Sequence, residues 1–370
     1  MVQTKQKAPS KAVKVREPLF HIVKRDRMSL WKSLLVRLGA IAAAFAFCGL
    51  ICYIFLDVTP FEFYKTMYEG VFKSSRRIWK MVKDLAVLLC ISLAVTPAFK
   101  MRFWNIGAEG QVLMSCLASV ACIIYLGGKM PNWALLICMA LAAIVMGAIW
   151  AVIPAIFKAN WDTNETLFTL MMNYVATSLV SFFLIVWVPS GSSSLGEQQF
   201  GHMPIVYHRY FVLVAVVAVI TVAMYIYLNY CKHGYEISVV GESQKTACYI
   251  GINVKKVVIR TLIVSGALCG VAGFLIVSAL DHSITPTSVN GQGFTAIMVS
   301  WLAKFNPLIM IATSFLIVFL QHGVNQVATD CNISNAFPNI IVGIILFFVI
   351  GCEFFINYKI VFRGKEKAEQ

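Results

Sequence analysis

Runs of about 20 apolar residues recur along this chain, and polar segments separate them. A helix of that length crosses the hydrocarbon core of a bilayer, where every backbone N–H and C=O must find its partner inside the protein. Only helices and closed barrels meet this requirement, and the short alternating segments of a barrel are absent from the sequence. Hydrophobic residues make up 59% of the chain and charged residues 13%, far from the composition of a soluble protein. The sequence therefore predicts an all-α polytopic membrane protein.

The apolar runs predict ten membrane segments between two polar tails. A basic cytoplasmic N-terminal tail at 1–33 precedes a transmembrane domain at 34–358, and a cytoplasmic C-terminal tail at 359–370 follows. The ten segments lie near 34–56, 80–99, 107–126, 133–157, 165–188, 209–230, 258–280, 290–303, 307–328 and 337–357.

Lysine and arginine residues predict the orientation, because cytoplasmic loops are enriched in them. With the N-terminus in the cytoplasm, only eight of the 31 basic residues fall outside, and the C-terminus is also cytoplasmic. Six of these eight lie in 57–84, where SSRRIWKMVKD is typical of an amphipathic helix on the membrane surface. The eight residues predicted outside are Lys65, Lys73, Arg76, Arg77, Lys80, Lys83, Lys129 and Arg209.

Two of the predicted segments are interrupted at corresponding places. The second reaches a Thr-Pro pair at 96–97, and the chain then re-enters the membrane through NIGAEGQ at 105–111. The eighth is short, and it follows a Thr-Pro pair at 285–286 and NGQG at 290–293. Backbone groups freed at such breaks must face protein or water, so interrupted segments in two halves of a chain indicate the transport path.

Four polar residues are candidates for that path. Asn105, Glu109 and Gln111 lie in the re-entrant segment, and Asn173 lies about two turns inside the fifth segment. Asn before a helix and Glu in its first turn are typical capping residues. A carboxylate at membrane depth also requires a role or a buried partner, and a buried Asn either holds helices together or binds a passing solute. Both interpretations, structural and solute-binding, remain open for these residues.

A long polar segment at 231–257 joins two spans on the side predicted to be cytoplasmic. It is too long for a simple turn, and it predicts a short amphipathic helix from about Glu242 to Tyr249, bracketed by two glycines. Such a helix at a membrane surface is typical of a docking element for a soluble partner. The residues expected to form it are Gly241, Glu242, Ser243, Ala247, Tyr249 and Gly251.

Small residues predict how the helices pack. SGALCGVAG at 265–273 places Gly266, Gly270 and Gly273 at spacings of four and three, which is typical of a close helix–helix contact. Most of the eleven cysteines lie inside apolar runs and none forms a CxxC pair, so they are predicted to be packing residues. These are Cys48, Cys52, Cys90, Cys116, Cys122, Cys138, Cys269 and Cys352.

The sequence lacks the motifs of several function classes. It contains no GxxxxGK[ST], HExxH or GxSxG pattern, so neither a P-loop nor these hydrolase centres are expected. Its six histidines are scattered, which predicts no metal site. The net charge of +14 comes from basic residues beside the spans, and no nucleic-acid binding is expected without a basic–aromatic module. Few acidic residues lie near the spans, which disfavours an ion-coupled secondary transporter.

Several blocks of this sequence resemble a known family. RFWNIGAEGQ at 102–111 and NETLFTLMMNY at 164–174 are similar to its signature blocks, and GQGFTAIMVSWLAKFNP at 291–307 is a looser match. The stretches 234–252 and 265–273 resemble its cytoplasmic coupling segment and the helix that follows. The family is that of the permease subunits of bacterial ABC importers of the branched-chain amino acid/ribose type. The chain resembles most closely the nucleoside and simple-sugar permeases that work with basic-membrane-protein-type lipoproteins.

The resemblance implies a type II importer-like bundle of the ten predicted segments, with interrupted helices. It implies three partners: an ABC ATPase subunit docked on the coupling segment, a second permease that is a paralogous chain, and an extracellular substrate-binding lipoprotein. ATP-Mg would be bound by the partner ATPase, and this chain would bind no cofactor and would not be an enzyme. The complex would lie in the plasma membrane of a bacterium.

Nucleosides are the expected solutes, and a simple sugar such as a pentose is the alternative. Two further classes remain open: a secondary transporter that uses the broken helices as its site, and a membrane scaffold or sensor without transport. An ATPase-docking helix favours the importer over the secondary transporter. Unchanged uptake after deletion of the chain would favour the scaffold.

Overall fold

Helices form almost the whole computed structural model, which describes residues 20–25, 29–56, 59–188, 194–334 and 336–362. Within these ranges nine helices are long and apolar enough to cross a membrane. The eighth predicted segment is instead an 11-residue helix, too short to span a bilayer. The prediction of an all-α polytopic membrane protein is confirmed.

The two ends of the described chain form one structural unit, which includes residues up to Phe63 and from Ile333 onward. The elements of this unit are β1 (Phe20–Lys24), α1 (Leu30–Leu56), α13 (Ala336–Asn357) and β2 (Tyr358–Phe362). Helix α2 (Pro60–Phe72) then carries the chain into the second unit.

Both predicted tails contribute a strand to the first unit. β1 and β2 pair antiparallel, with Phe20 opposite Phe362. Helices α1 and α13 pack together, and the Arg37 guanidinium lies 2.6 Å from the Glu353 carboxylate. The other parts of the tails lie outside the described residues: 1–19, 26–28 and 363–370.

The second unit, Tyr64–Asn332, contains the remaining helices. Their bounds are α3 (Ser75–Lys100), α4 (Ala108–Leu126), α5 (Asn132–Trp161), α6 (Glu165–Trp187), α7 (Phe211–Asn229), α8 (Lys232–Glu242), α9 (Gln244–Tyr249), α10 (Val254–Leu275), α11 (Gln292–Leu302) and α12 (Pro307–Asp330). A π-helix at Ile276–Asp281 extends α10. Helix α3 lies at the centre, because residues 86–99 are all buried and α7, α10, α11 and α12 surround it.

The basic stretch SSRRIWKMVKD does not form a separate surface helix, so that prediction is wrong. Ser74 caps α3, and the helix then runs without a break from Ser75 to Lys100. The polar residues at this end are accommodated by contacts with other elements. Asp84 lies 2.8 Å from the imidazole of His322 in α12, and Trp79 stacks on His208 with ring centroids 4.0 Å apart.

The Thr-Pro pair at 96–97 does not end α3 either. The Thr96 hydroxyl lies 2.7 Å from the carbonyl oxygen of Ser92, one turn earlier, and 3.0 Å from the Ser300 hydroxyl of α11. The proline therefore sits inside the helix, and the interruption falls at 101–107, immediately before the predicted re-entrant segment.

The predicted glycine packing face of α10 is confirmed. Gly266 and Gly270 lie against the backbone of α5, and a Cβ atom at Gly270 would come within 2.6 Å of the carbonyl oxygen of Ala143. Gly273 lies against α4, where a Cβ atom would approach the carbonyl oxygen of Val112 to 2.7 Å. Only glycine allows the backbones to come this close.

The predicted packing role of the cysteines is confirmed for six of the eight. Among the described residues they form no disulfide, and their side chains are buried among the helices. The six are Cys48, Cys52, Cys90, Cys116, Cys269 and Cys352, whereas Cys122 and Cys138 are partly exposed.

Candidate functional site

An irregular segment, 101–107, leads from the end of α3 into α4. Arg102 takes φ +60°, and the N–H of Phe103 donates back into the last turn of α3 at 2.9 Å, as in a Schellman C-cap. Helix α11 ends in the same way, with Lys304 at φ +50° and the N–H of Phe305 donating back at 3.0 Å. A basic residue thus lies at the negative end of each helix, where its charge is favoured.

Asn105 and Gln111 form a buried pair within this segment. The Oδ1 atom of Asn105 accepts hydrogen bonds from Gln111 Nε2 at 3.1 Å and from the N–H of Gly107 at 3.2 Å. Its Nδ2 atom lies 3.5 Å from the Ser265 hydroxyl of α10. Both side chains are inaccessible within this chain, so their contacts hold the irregular backbone to α4 and α10.

Thr169 and Asn173 lie one turn apart on α6 and bind the same stretch of backbone. The Thr169 hydroxyl accepts from the N–H of Ile106 at 3.2 Å. Asn173 accepts from the N–H of Gly110 at 2.9 Å and donates to the carbonyl oxygen of Ile106 at 3.0 Å. Helix starts leave such backbone groups without partners inside the helix, so these side chains satisfy them.

Glu109 joins the two interrupted segments. Its Oε1 atom accepts from the N–H of Gly291 and its Oε2 atom from the N–H of Gly293, both at 2.8 Å. These amides mark the start of α11, where the helix dipole favours a negative charge. Glu109 therefore caps α11 and not its own helix, and its side chain is half-buried.

We expect Asn173→Leu to lower the stability of the folded chain. The substitution leaves the N–H of Gly110 and the carbonyl oxygen of Ile106 unpaired, at a cost of about 1–3 kcal/mol for each buried group. The melting temperature of the purified protein in detergent measures the effect. Asn229→Leu is the matched control, because Asn229 is exposed at the end of α7 and its change should leave the melting temperature in place. Equal melting temperatures for both variants would contradict the assigned role.

Two helices, α8 and α9, form the candidate docking segment at 231–257. The predicted helix from Glu242 is wrong at its start, because α8 ends at Glu242 and α9 begins at Gln244. Ser243 between them is extended, and its hydroxyl accepts from the N–H of Thr246 at 3.2 Å. A serine side chain that binds the free amides of a new helix separates it from the preceding one.

The predicted docking residues differ in exposure. Gly241 is buried against the carbonyl oxygen of Lys100, which leaves no space for a Cβ atom. Ala247 is fully buried in a hydrophobic cluster of this end of the bundle. Glu242 is exposed, and the Tyr249 side chain is 92% exposed. Of these four, Glu242 and Tyr249 can contact a partner, and Gly241 and Ala247 instead fix the segment to the bundle.

Gly251 ends the segment for a conformational reason. It takes φ +81°, and nothing lies within 4 Å of the position of a Cβ atom. The left-handed backbone, and not a lack of space, therefore favours glycine here. Asn253 then caps α10 by accepting from the N–H of Lys256 at 3.1 Å.

A cleft of about 580 Å³ lies beside α9. Lys158 at its edge binds Asp162 at 2.7 Å and Glu165 at 2.9 Å, which holds the connection between α5 and α6 in place. The hydrogen bond from Lys158, together with its charge, lowers the pKa of the Asp162 carboxyl below its ordinary value. Asn164 caps α6 by accepting from the N–H of Leu167 at 3.2 Å.

Reasoning from sequence missed two features of this region. One is Thr169, which shares the backbone-binding role of Asn173. The other is the stacked pair of Trp104 and Trp301, whose ring centroids are 5.4 Å apart. Both tryptophans stand beside a helix end in an interrupted segment, which is the signal that could have found them. Among the described residues, no group of three or more His, Cys, Asp or Glu side chains could hold a metal ion.

Several named proteins are similar to this chain over most of its length. The glucose ABC transporter permease protein TsgB13 of Haloferax volcanii is 27% identical, over 86% of this chain and 88% of that protein. The guanosine ABC transporter permease protein NupP of Bacillus subtilis is 25% identical, over 77% and 84%. The nucleoside ABC transporter permease protein NupB of Lactococcus lactis is 23% identical, over 86% and 91%.

A family model covers the site itself. The model described as "Branched-chain amino acid transport system / permease component" matches residues 79–350. That range contains both interrupted segments, the residues around Glu109 and the two helices α8 and α9. The chain belongs to this family of transport-system permease components.

Proposed function

We propose that this chain is the membrane-spanning permease subunit of an ATP-driven importer that carries nucleosides into the cell. One observation carries the proposal. This chain is similar to proteins named as guanosine and nucleoside permeases, over most of its own length and of theirs. The interior junction agrees with a neutral solute, because only Glu109 is charged among the side chains described there. Nucleosides are rich in hydroxyls and ring nitrogens, which form hydrogen bonds without a counter-charge.

A simple sugar is the second candidate solute. The glucose permease is 27% identical to this chain, the highest identity among the three relatives described above. Sugars share the neutral, hydroxyl-rich character of nucleosides, so a path with few fixed charges suits both.

The proposed importer needs partners that supply energy and solute. An ABC ATPase, which binds ATP-Mg, would dock on the exposed surface of α8 and α9. A second, paralogous permease would complete the pore, and an extracellular lipoprotein would deliver the solute. The excess of basic residues supports a cytoplasmic location for the α8–α9 end and both termini. The family of the chain supports a location in the plasma membrane of a bacterium.

The proposed solute path runs beside the junction of the interrupted segments. Glu109 is half-buried there and can meet the solute. The other three residues affect the path indirectly, because they are buried and hold the backbone beside it. They are Asn105, Gln111 and Asn173. Weak contacts suffice, because the lipoprotein selects the solute before it reaches the permease.

Uptake by cells with and without this chain tests the function. Deletion should abolish ATP-dependent uptake of labelled guanosine and leave glucose uptake in place. Lost glucose uptake with guanosine uptake intact would favour the sugar candidate. Guanosine uptake that survives inactivation of the co-purified ATPase would contradict an ATP-driven importer.

Labelling with a membrane-impermeant thiol reagent should confirm the proposed orientation. Gly196 is exposed with open space around it, so Gly196→Cys is tolerated at the end of the bundle opposite to α8 and α9. Intact cells should label this cysteine once the native exposed thiols Cys231 and Cys248 have been replaced by serine. The native pair should react only after permeabilisation. Labelling of Cys231 and Cys248 in intact cells would reverse the topology.

Tyr249→Asp should uncouple the importer without unfolding it. An exposed aromatic residue at the centre of an interface contributes about 2 kcal/mol or more to binding, and a new carboxylate would repel an acidic partner surface. ATP hydrolysis stimulated by the lipoprotein should therefore fall about tenfold or more in the purified complex. Tyr207→Asp is the control, because Tyr207 is equally exposed at the opposite end. Equal ATPase activities of the two variants would contradict docking at α9.

A further inference from the structure

A cleft of about 600 Å³ opens where α3 and α11 end, next to α8. This volume lies in the range of sites that bind small molecules. Four aromatic side chains provide most of its apolar lining, and charged and polar residues of the chain complete it. The lining residues are Phe99, Trp104, Trp301 and Phe305, with Lys100, Arg102, Ser238, Gly241 and Glu242.

The aromatic rings of the cleft form an ordered platform. The indoles of Trp104 and Trp301 are stacked, with centroids 5.4 Å apart and planes inclined by 26°. Phe99 meets both indoles edge-on at 6.0 Å and 6.3 Å, and Phe305 meets Trp301 edge-on at 5.5 Å. Stacked and edge-to-face contacts of this kind fix the ring positions.

The platform is open on one side. Trp104 remains 45% exposed and Trp301 46% exposed, although Phe99 behind them is buried. Two large rings that stack on each other and remain nearly half exposed offer a surface to a third planar group. Every nucleobase has such a face, and stacking on an aromatic side chain tightens binding by roughly 5- to 150-fold per base.

The cleft is connected to the interior junction. Trp104 immediately precedes the buried Asn105, and Trp301 lies two turns along α11 from Gly293, which binds Glu109. Met298 and Phe294, three and seven residues before Trp301 in α11, continue its exposed face toward that junction. An apolar stripe therefore leads from Glu109 to the cleft.

The charged lining distinguishes this cleft from a lipid-facing groove. Arg102 and Glu242 are exposed beside the rings, and Ser238 adds a hydroxyl. Acyl chains disfavour such neighbours, whereas the hydroxyls and ring nitrogens of a nucleoside bind them. A concave site with an aromatic floor and a polar rim fits a solute that combines a planar ring with a polyol.

We propose that this cleft is a solute site at the α8 end of the path, where a planar heteroaromatic base stacks on the Trp104–Trp301 pair before release. The proposal rests on the function proposed above, and it adds a requirement for an aromatic ring in the solute. A sugar without a base has no planar π-face to stack, so it would gain less from this platform than a nucleoside.

Uptake by the complete transporter, purified through a tag on this chain and placed in liposomes, tests the proposal. Trp104→Leu and Trp301→Leu should each lower guanosine uptake roughly tenfold, whereas Trp104→Phe and Trp301→Phe, which keep a ring, should stay within about threefold of the unmodified chain. Trp133→Leu is the matched control, because Trp133 is an exposed tryptophan at the opposite end of the bundle. Tryptophan fluorescence gives a second readout. Guanosine should quench the fluorescence of the unmodified chain, and glucose should not. The same guanosine concentration should quench the Trp104→Phe/Trp301→Phe double variant less.

The outcomes separate this proposal from the proposed function. Guanosine uptake by the unmodified chain with unchanged uptake by both leucine variants would overturn the stacking site alone. Equal losses in the leucine and phenylalanine variants, together with lower melting temperatures, would show a packing role and overturn it as well. Glucose uptake without guanosine uptake by the unmodified chain would instead overturn the proposed function.

Discussion

Glu109→Ala should destabilise the junction of the interrupted segments by about 3 kcal/mol or more and abolish most transport. The substitution removes two hydrogen bonds of 2.8 Å to a carboxylate, and hydrogen bonds to charged groups contribute about 1.5–3 kcal/mol each. It also leaves the amides of Gly291 and Gly293 without their partner at the start of α11. The melting temperature of the purified chain and its guanosine uptake at matched membrane abundance measure the effect.

Glu109→Gln should give an intermediate result. An amide group has one acceptor oxygen, so it can accept from one of the two glycine amides, while its NH₂ group faces the other donor. Glu197→Ala provides the control for stability, because Glu197 is exposed in a loop at the opposite end from α8 and α9. A Glu109→Ala variant with the same melting temperature as the control would show that α11 does not depend on this carboxylate.

Gly266→Ala should prevent normal folding of the bundle. A Cβ atom at this position would collide with the carbonyl oxygen of Gly147 and lie 2.5 Å from the Cβ atom of Ala151, both in α5. Overpacking typically costs about 1–3 kcal/mol, and the cost is larger here because backbone atoms cannot rotate away. We expect a large loss of folded protein, measured as the monodisperse fraction after detergent extraction.

Glycine to alanine at position 39 should instead raise the stability of the folded chain. Gly39 lies in α1, and nothing is within 4 Å of the position of a Cβ atom. Glycine to alanine at an unhindered helical position stabilises by about 0.4–1 kcal/mol, because alanine restricts the unfolded chain. Equal behaviour of Gly39→Ala and Gly266→Ala would mean that the contact between α5 and α10 does not need glycine.

The sequence was informative where a single pattern decides the outcome. Apolar length alone predicts the spans, because a bilayer accepts few alternatives for the backbone. The glycine spacing in α10 predicts a packing face for a similar reason, since only close backbone approach explains it. The glycine face is confirmed, and nine of the ten predicted spans are confirmed, whereas the eighth is the 11-residue helix α11.

Helix ends were harder to predict, because the apolar and charge pattern does not show where a helix is capped or which elements pack against it. The stretch SSRRIWKMVKD has the composition of a surface helix, yet it continues into α3, where Asp84 meets His322 and Trp79 meets His208. Glu242 and Tyr249 share an amphipathic pattern, but the Ser243 hydroxyl caps a new helix between them. Contacts with other elements accompany the first result, whereas the second follows from a local serine cap that the amphipathic pattern does not reveal.

The sequence by itself determined that this is a helical membrane protein with two interrupted segments, and its motifs indicated the permease family. Only the tertiary structure decided what the polar residues at the interruptions do. Glu109 is bound to amides 182 and 184 residues away, and Asn173 to a backbone 63 to 67 residues away. Local sequence encodes helix length and apolar pattern, whereas a buried polar group takes its partner from whichever element the packing brings next to it.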